Sequence, residues 1–362
     1  MTMNFDKLNS FLEHLEKDFG IPDYGCGVHV KGEEVFRAGT DRQGRDFFRF
    51  YSTTKPFTGF AAMQLIEQNR LGLYEPVSKY LPAFRELRCY QDGAVVPCKN
   101  ELKIWHLLTM SGGFDYNDEF PEMHRLVDGR GLLPSEEVLS LLAARPLAFE
   151  PGTHYQYSLG LDILGSVIEK ISGLRLDAYM EKYIFRPLGA GELTFWPDEE
   201  QKKRMCPQYS ANDAVREDIP CNIYLHAGHF PSGGCGLCGT VDDYLLFLDM
   251  LANDGVAKSG ERLLRSETMN LFRSRMLSAA GQAELNIKRA QPEEQALGIR
   301  IRPTAPLQGM YTGDGAAGAY CFADKEQGVS LFFAAHVVEF DSFYRDVHPR
   351  LFDLTCEALG LR

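Results

Sequence analysis

The chain has no excess of basic residues: 38 lysines and arginines face 50 aspartates and glutamates, giving a net charge of −12 over 362 residues. That surplus of acid repels phosphate backbones and anionic lipid, so neither nucleic acid nor a membrane surface is the expected partner. No apolar run approaches the ~20 residues that cross a bilayer. The first twenty residues lack the basic and apolar regions of an export signal, so a cytoplasmic location is expected. They read instead as an amphipathic helix, with Phe5, Leu8, Phe11, Leu12 and Leu15 near helical spacing. Gly-x-Ser-x-Gly is missing, which excludes the α/β-hydrolase elbow. So are a P-loop and a Gly-x-Gly-x-x-Gly after a strand, which leaves nucleotide cofactors without support.

Cysteine is neither scarce nor paired. There are nine, an odd number, and without an export signal the expectation is reduced, mostly buried thiols rather than a disulfide framework. Cys221, His226, His229, Cys235 and Cys238 crowd one stretch, and Cys235-x-x-Cys238 has the spacing of a zinc knuckle. The segment FPSGG before it is a turn with no second knuckle and no ligand helix. Thiols filling small packing sites are therefore expected there, and no metal.

Ordinary globular composition, 44% hydrophobic and 24% charged, argues against disorder. Residues 24–39 alternate and turn at Lys31-Gly32, which predicts a hairpin, and residues 45–51 predict another short strand. The stretch from Ser52 to about Asn69 predicts a helix with Phe57, Phe60, Ala61, Met63, Leu65 and Ile66 on its apolar side. Residues 60–190 read as mostly helical, with further helices at 101–110, 135–144, 158–171 and 174–185. Strands return after 190: residues 316–324 and 328–338 predict a hairpin, and 341–359 a last helix. This order predicts an α+β fold. An antiparallel sheet drawn from both chain ends (1–51 and 190–362) would carry an inserted helical lobe (52–189), with the ligand site in the cleft between them.

Three constellations carry chemistry. Ser52-Thr53-Thr54-Lys55 sets a hydroxyl and an amine three apart on one helical face, where the lysine can reach the serine. Pro56 places Ser52 at the helix start. By itself the pattern fits an N-cap serine beside a solvated lysine better. Tyr157, in His154-Tyr155-Gln156-Tyr157-Ser158-Leu159, could serve as a general base beside a cation such as Lys55, or could be a packed aromatic. Gly313-Asp314-Gly315-Ala316-Ala317-Gly318 could bring a backbone N–H to an oxyanion, or could be a plain glycine-rich turn.

Five blocks in order resemble the serine β-lactamase and penicillin-binding-protein superfamily, and most nearly the class C β-lactamases and family VIII carboxylesterases. They are FYSTTKPFTGFAAMQLIEQNRLGLYEPVSKYLPAF, LKIWHLLTMSGGFDY, PGTHYQYSLGLDILGSVIEKISG, FPSGGCGLCGTVDDYLLFLDMLANDG and GDGAAGAYCFADKEQGVSLFFAAH. The resemblance implies a β-lactamase-like fold and acyl transfer through an acyl-enzyme, with no metal or organic cofactor. It implies Ser52 as nucleophile, Lys55 as the group that helps deprotonate it, and Tyr157 as the proton shuttle. The backbone N–H groups of Ser52 and Ala316 would form the oxyanion hole. Tyr116 would line the pocket, and Gly313, Asp314 and Gly315 would meet the substrate.

Two departures shape the expected substrate. Where the family has Tyr-x-Asn, this chain has Tyr157-Ser158-Leu159. Where it has Lys-Thr-Gly, this chain has Gly313-Asp314-Gly315. The first loses a group that holds an amide. The second replaces a cation with nothing and adds a carboxylate. His226-Ala227-Gly228 fits the third motif but stands in the wrong place. A carboxylesterase-type hydrolase of small esters is the leading expectation. A D-amino-acid peptidase or weak β-lactamase is the alternative, and a non-catalytic binding protein that keeps the fold is another. Pocket walls are expected in loops such as 115–133 and 197–230.

Overall fold

The computed structural model describes residues 3–40, 44, 46–116, 131–210, 230–287 and 291–361. Its centre is a seven-stranded sheet. In spatial order the strands are Glu33–Gly39, Tyr24–Val30, Val329–Ala335, Tyr320–Asp324, Tyr311–Asp314, Arg300–Ile301 and Glu294–Gln295. Every neighbouring pair is antiparallel. The sheet thus joins the two ends of the chain, with Tyr24 opposite Ala335 and Val30 opposite Val329.

The strand Val329–Ala335 is buried along its whole length because helices cover both sheet faces. Leu331 and Phe333 point into a core shared with Leu8, Leu12 and Leu351 of the terminal helices. Phe332 and Ala334 point the other way, into the larger core. On that second face lies the helix Val241–Ala252, capped by the Thr240 side chain, which accepts the Asp243 N–H at 3.3 Å. Its Tyr244 stacks on Phe332 at 3.8 Å and donates its hydroxyl proton to Thr53 O at 2.8 Å. One side chain therefore ties the sheet to the turn that carries Ser52.

Several expectations change. The helix after Ser52 runs Lys55–Glu67, preceded by a 3-10 turn Tyr51–Thr54. It has no polar side over residues 55–65: all of them are buried, because it runs through the centre of the larger core. The strand expected over 45–51 reduces to Phe48–Arg49, paired with Cys238–Gly239. The helix expected over 101–110 is only Ile104–Leu108, since Met110 has φ +58. The helical lobe also holds a β-hairpin, Arg88–Gln91 with Ala94–Pro97. It turns at Asp92-Gly93, where both residues have positive φ. Among the described residues no helix is long and apolar enough to cross a membrane.

Candidate active site

The turn Tyr51–Thr54 presents Ser52 half-buried at the mouth of the helix Lys55–Glu67. Tyr51 takes a left-handed backbone, φ +52, so the chain enters the turn under strain. One helical turn on, Lys55 is buried. Its Nζ donates to Ser52 Oγ at 3.0 Å and to Gly234 O at 2.8 Å. It also hydrogen-bonds the Tyr116 hydroxyl. The same Nζ stands 4.7 Å from the Tyr157 ring centroid and 5.4 Å from that of Tyr116, and the two rings stack at 5.5 Å.

Burial opposes the charge on Lys55, yet Tyr116, Tyr157 and Asp162 together raise its pKa above the ordinary lysine value. At neutral pH it is an ammonium group. Burial likewise pushes the Tyr116 hydroxyl well above the usual range, against the pull of Lys55. Tyr116 is therefore a neutral partner, and the lysine's positive field is directed at Ser52 and Tyr157.

Asp162 was not singled out by its sequence context, where it follows Leu161 in an apolar helix. It is buried, and its Oδ1 accepts from Ser232 Oγ at 2.5 Å and Gly234 N at 3.1 Å. The turn Ser232-Gly233-Gly234 thus links a carboxylate on one side to the lysine on the other. A Cβ at Gly234 would lie 2.3 Å from Asp162 Oδ2, so only glycine fits. Burial raises the Asp162 carboxyl, with Lys55 and the two hydrogen bonds opposing the rise.

The glycine-rich segment reaches the same place from the other side. Gly315 N–H bonds Ala319 O at 2.8 Å and Val337 N–H bonds Ala317 O at 3.0 Å, so the turn holding Ala316 is tied on both sides. A Cβ on Gly315 would sit 2.5 Å from Phe50 O, and the absent side chain lets this turn close against the segment leading into Ser52. Ser52, Tyr157, Asp314 and Ala316 all line one cavity of about 530 Å³. Tyr116, Gly313 and Gly315 are not among its lining residues. A side chain at 313 would start 3.1 Å from Cys321 Sγ.

Asp314 does not stand alone. Arg300 on the neighbouring strand is buried, with one guanidinium nitrogen 2.5 Å from Asp314 Oδ2 and the other 2.9 Å from Glu293 Oε2. The sequence reading of Asp314 as an added charge omitted this partner. The two carboxylates outweigh burial and keep Arg300 charged, and Tyr157 and Tyr155 also feel its field. The far wall of the cavity comes from the C-terminal segment, including Tyr344, His348 and Phe352. His348 Nε2 lies 3.1 Å from Gly318 O, clamping that segment to the glycine-rich turn. Of the loops expected to form the walls, residues 117–130 and 211–229 lie outside the described residues.

Cys221, His226 and His229 of the suggested zinc cluster, with His226-Ala227-Gly228, also lie outside the described residues. Cys235 and Cys238 are buried. Cys235 Sγ contacts Ser232 Oγ at 3.6 Å, and burial pushes the Cys238 thiol up to about 12.

A serine hydroxyl held by a buried ammonium, with a tyrosine beside both at one cavity, forms an arrangement able to activate an alcohol for acyl transfer. Known proteins resemble the chain to different extents. Esterase EstB of Burkholderia gladioli is 31% identical over 242 residues, 60% of each chain. Protein Rv1367c of Mycobacterium tuberculosis is 29% identical over 263 residues, covering 69% of this chain and 65% of that one. The chain thus spans less than two thirds of the length of these curated relatives. The solved structure of EstCE1, described as a hydrolase with promiscuous acyltransferase activity, superposes with a TM-score of 0.78 at 25% identity. It covers 97% of this chain and 98% of that one. The family model described as Beta-lactamase matches residues 8–353, nearly the whole length, and the chain belongs to that family.

Proposed function

We propose that the protein is a serine hydrolase that cleaves small esters through an acyl-enzyme. The observation that carries this reading is the 3.0 Å contact between Lys55 Nζ and Ser52 Oγ, with Tyr157 over the same ammonium and both Ser52 and Tyr157 lining one cavity. The relatives named as an esterase and a hydrolase support it.

In this reading Ser52 Oγ attacks the ester carbonyl and its proton passes to the Tyr157 oxygen. Lys55 stays protonated throughout; it stabilises the negative oxygen that Tyr157 must present to take that proton, and the charge that develops on Oγ. The carbonyl oxygen takes the displaced electron pair and is held by the N–H groups of Ser52 and Ala316. Collapse expels the alkoxide, which takes the proton from Tyr157. Water then repeats the sequence and frees the acid. Asp314 borders the acyl or alcohol group. Gly313 offers no cation where the third motif begins, and Arg300 is already held by Asp314 and Glu293. Arg302 and Arg345 line the same cavity, so the preference for neutral esters rests on the third motif alone.

Intact-mass labelling with a fluorophosphonate tests the reading. One adduct on the wild type and none on Ser52→Ala is expected, with turnover of p-nitrophenyl esters exceeding that of nitrocefin. A folded wild type that takes no adduct would refute it, and nitrocefin turned over faster than esters would replace it with amide hydrolysis.

A further inference from the structure

A second cluster of reactive side chains lies in the helical lobe, away from Ser52. In the hairpin Arg88–Gln91 with Ala94–Pro97, Cys89 pairs with Val96, so Cys98, two residues on, falls on the same face. Its backbone continues the pairing, with Cys98 N–H bonding Leu87 O at 2.9 Å. Residue 147 joins the other side of the hairpin: Leu147 N–H bonds Arg88 O at 2.7 Å and Tyr90 N–H bonds Leu147 O at 2.9 Å. Three residues later, Glu150 turns back onto the same face. Its carboxylate accepts from Lys99 N at 2.9 Å and Asn100 N at 3.1 Å, which fixes its orientation.

The result is two thiols and one carboxylate whose ligand atoms all lie within 4.8 Å of one another. We propose that Cys89, Cys98 and Glu150 bind a thiophilic divalent cation such as Zn²⁺, with the fourth position left to water.

The dimensions suit it. Tetrahedral zinc with Zn–S near 2.3 Å and Zn–O near 2.1 Å separates two sulfurs by about 3.8 Å and sulfur from oxygen by about 3.6 Å. Closing the cluster onto a metal therefore asks for approaches of about 1.2 Å or less between ligand atoms. The backbone N–H bonds to Glu150 act as the outer support that ligating carboxylates require. Cys89 is fully buried, whereas Cys98 and Glu150 are half-buried and leave an entry path.

Both cysteines are free thiols. Binding replaces their two protons, which leave to solvent, with one metal ion, so two thiolates and a carboxylate gain a +2 partner. A disulfide is the less suitable closure, because residues diagonal across a hairpin stand about 7–8 Å apart, and a disulfide tolerates only about 7 Å. The metal would pin the hairpin to the strap that leads, seven residues on, from Glu150 to Tyr157.

The test uses the full chain, reduced and stripped of metal, titrated with Zn²⁺ and with Co²⁺. One ion per chain is expected by native mass spectrometry, with a cobalt–thiolate charge-transfer band and protection of Cys89 and Cys98 from maleimide. Cys98→Ser should cut the band to about half or less, since Cys89 alone is left as a thiolate, and it should weaken zinc binding by at least about tenfold, the loss of a ligand in a three-ligand site. Glu150→Gln provides a second variant if Cys98→Ser fails to fold, and should weaken zinc binding similarly while keeping the thiolate band at saturating cobalt. Cys235→Ser/Cys238→Ser should still bind one ion with the same band. Overturning results would be no metal bound by the wild type, a band undiminished in Cys98→Ser, or a Cys89–Cys98 disulfide formed in place of the metal complex.

Discussion

Replacing Lys55 by methionine separates the chemistry of the site from its stability. The side chain keeps its length and loses its charge, and with it the donors to Ser52 Oγ at 3.0 Å and Gly234 O at 2.8 Å. Proton transfer and charge stabilisation at the nucleophile fail together, so kcat/KM for p-nitrophenyl acetate should fall by roughly 10³–10⁴, about 4–5 kcal/mol of barrier. Asp162 is left buried without its nearby cation. Stranding a charged partner of this kind costs about 3–5 kcal/mol. Burial already raises the Asp162 carboxyl, so it can take up a proton and avoid part of that cost. A carboxyl raised in the folded state stabilises below its unfolded value of 3.8 and loses that stabilisation as pH rises through the folded value. Relative to the wild type, Lys55→Met should therefore lose more stability at pH 8 than at pH 5 in urea unfolding. Adding Asp162→Asn should restore the stability and leave the rate unchanged. A folded Lys55→Met protein within tenfold of wild-type activity would refute the reasoning. Recovery of rate in the double variant would show that the lysine acts only through the fold.

Three other changes probe the neighbours. Tyr157→Phe should lower kcat/KM by about 10²–10⁴, the usual worth of a general base. Tyr116→Phe, which removes only a neutral partner of Lys55, should cost about tenfold; equal losses in the two variants would refute the assignment of Tyr157. Asp314→Asn should remove a carboxylate from the cavity wall and raise turnover of a carboxylate-bearing ester relative to its neutral isostere by about tenfold, one charge seen at close range. An unchanged ratio would show that Asp314 does not face the substrate. His336 is buried and neutral: Nδ1–H donates to Cys206 O at 2.7 Å and Nε2 accepts from Arg49 N at 3.1 Å. Burial, then Arg49, lowers it from 6.5 to about 4. The unfolded chain therefore binds the extra proton first, and stability present above pH 6.5 should be lost as pH falls toward 4, on the order of 3 kcal/mol. His336→Gln should flatten that acid limb in urea unfolding, and an identical pH profile would contradict it.

The sequence by itself determined the elements whose causes are local. Ser52 and Lys55 share a face because a helix repeats every 3.6 residues, and Pro56 marks where that helix begins. The Lys31-Gly32 turn and the hairpin read over 316–324 and 328–338 likewise located strands that pair as expected. Amphipathic reasoning failed for the helix Lys55–Glu67, because a segment buried on every side has no polar face to detect. The hairpin at Arg88–Gln91 was hidden by the helical patterns around it, although Asp92-Gly93 carried its turn signal.

Tertiary structure alone decided which charges meet. Asp162 lies 107 residues from Lys55 in the chain, and Arg300 lies 14 from Asp314 on a different strand. In a sequence each reads as a solvated charge, since nothing local says that it will be buried or paired. The glycines at 234 and 315 are similar, because their need is set by Asp162 and Phe50, atoms brought close only by folding. Cys89, Cys98 and Glu150 converge because a hairpin register and one strap residue align them, not because of their spacing, while the closely spaced Cys235 and Cys238 simply pack. Periodicity and turn chemistry act over a few residues, whereas charge pairing and close approach act through space.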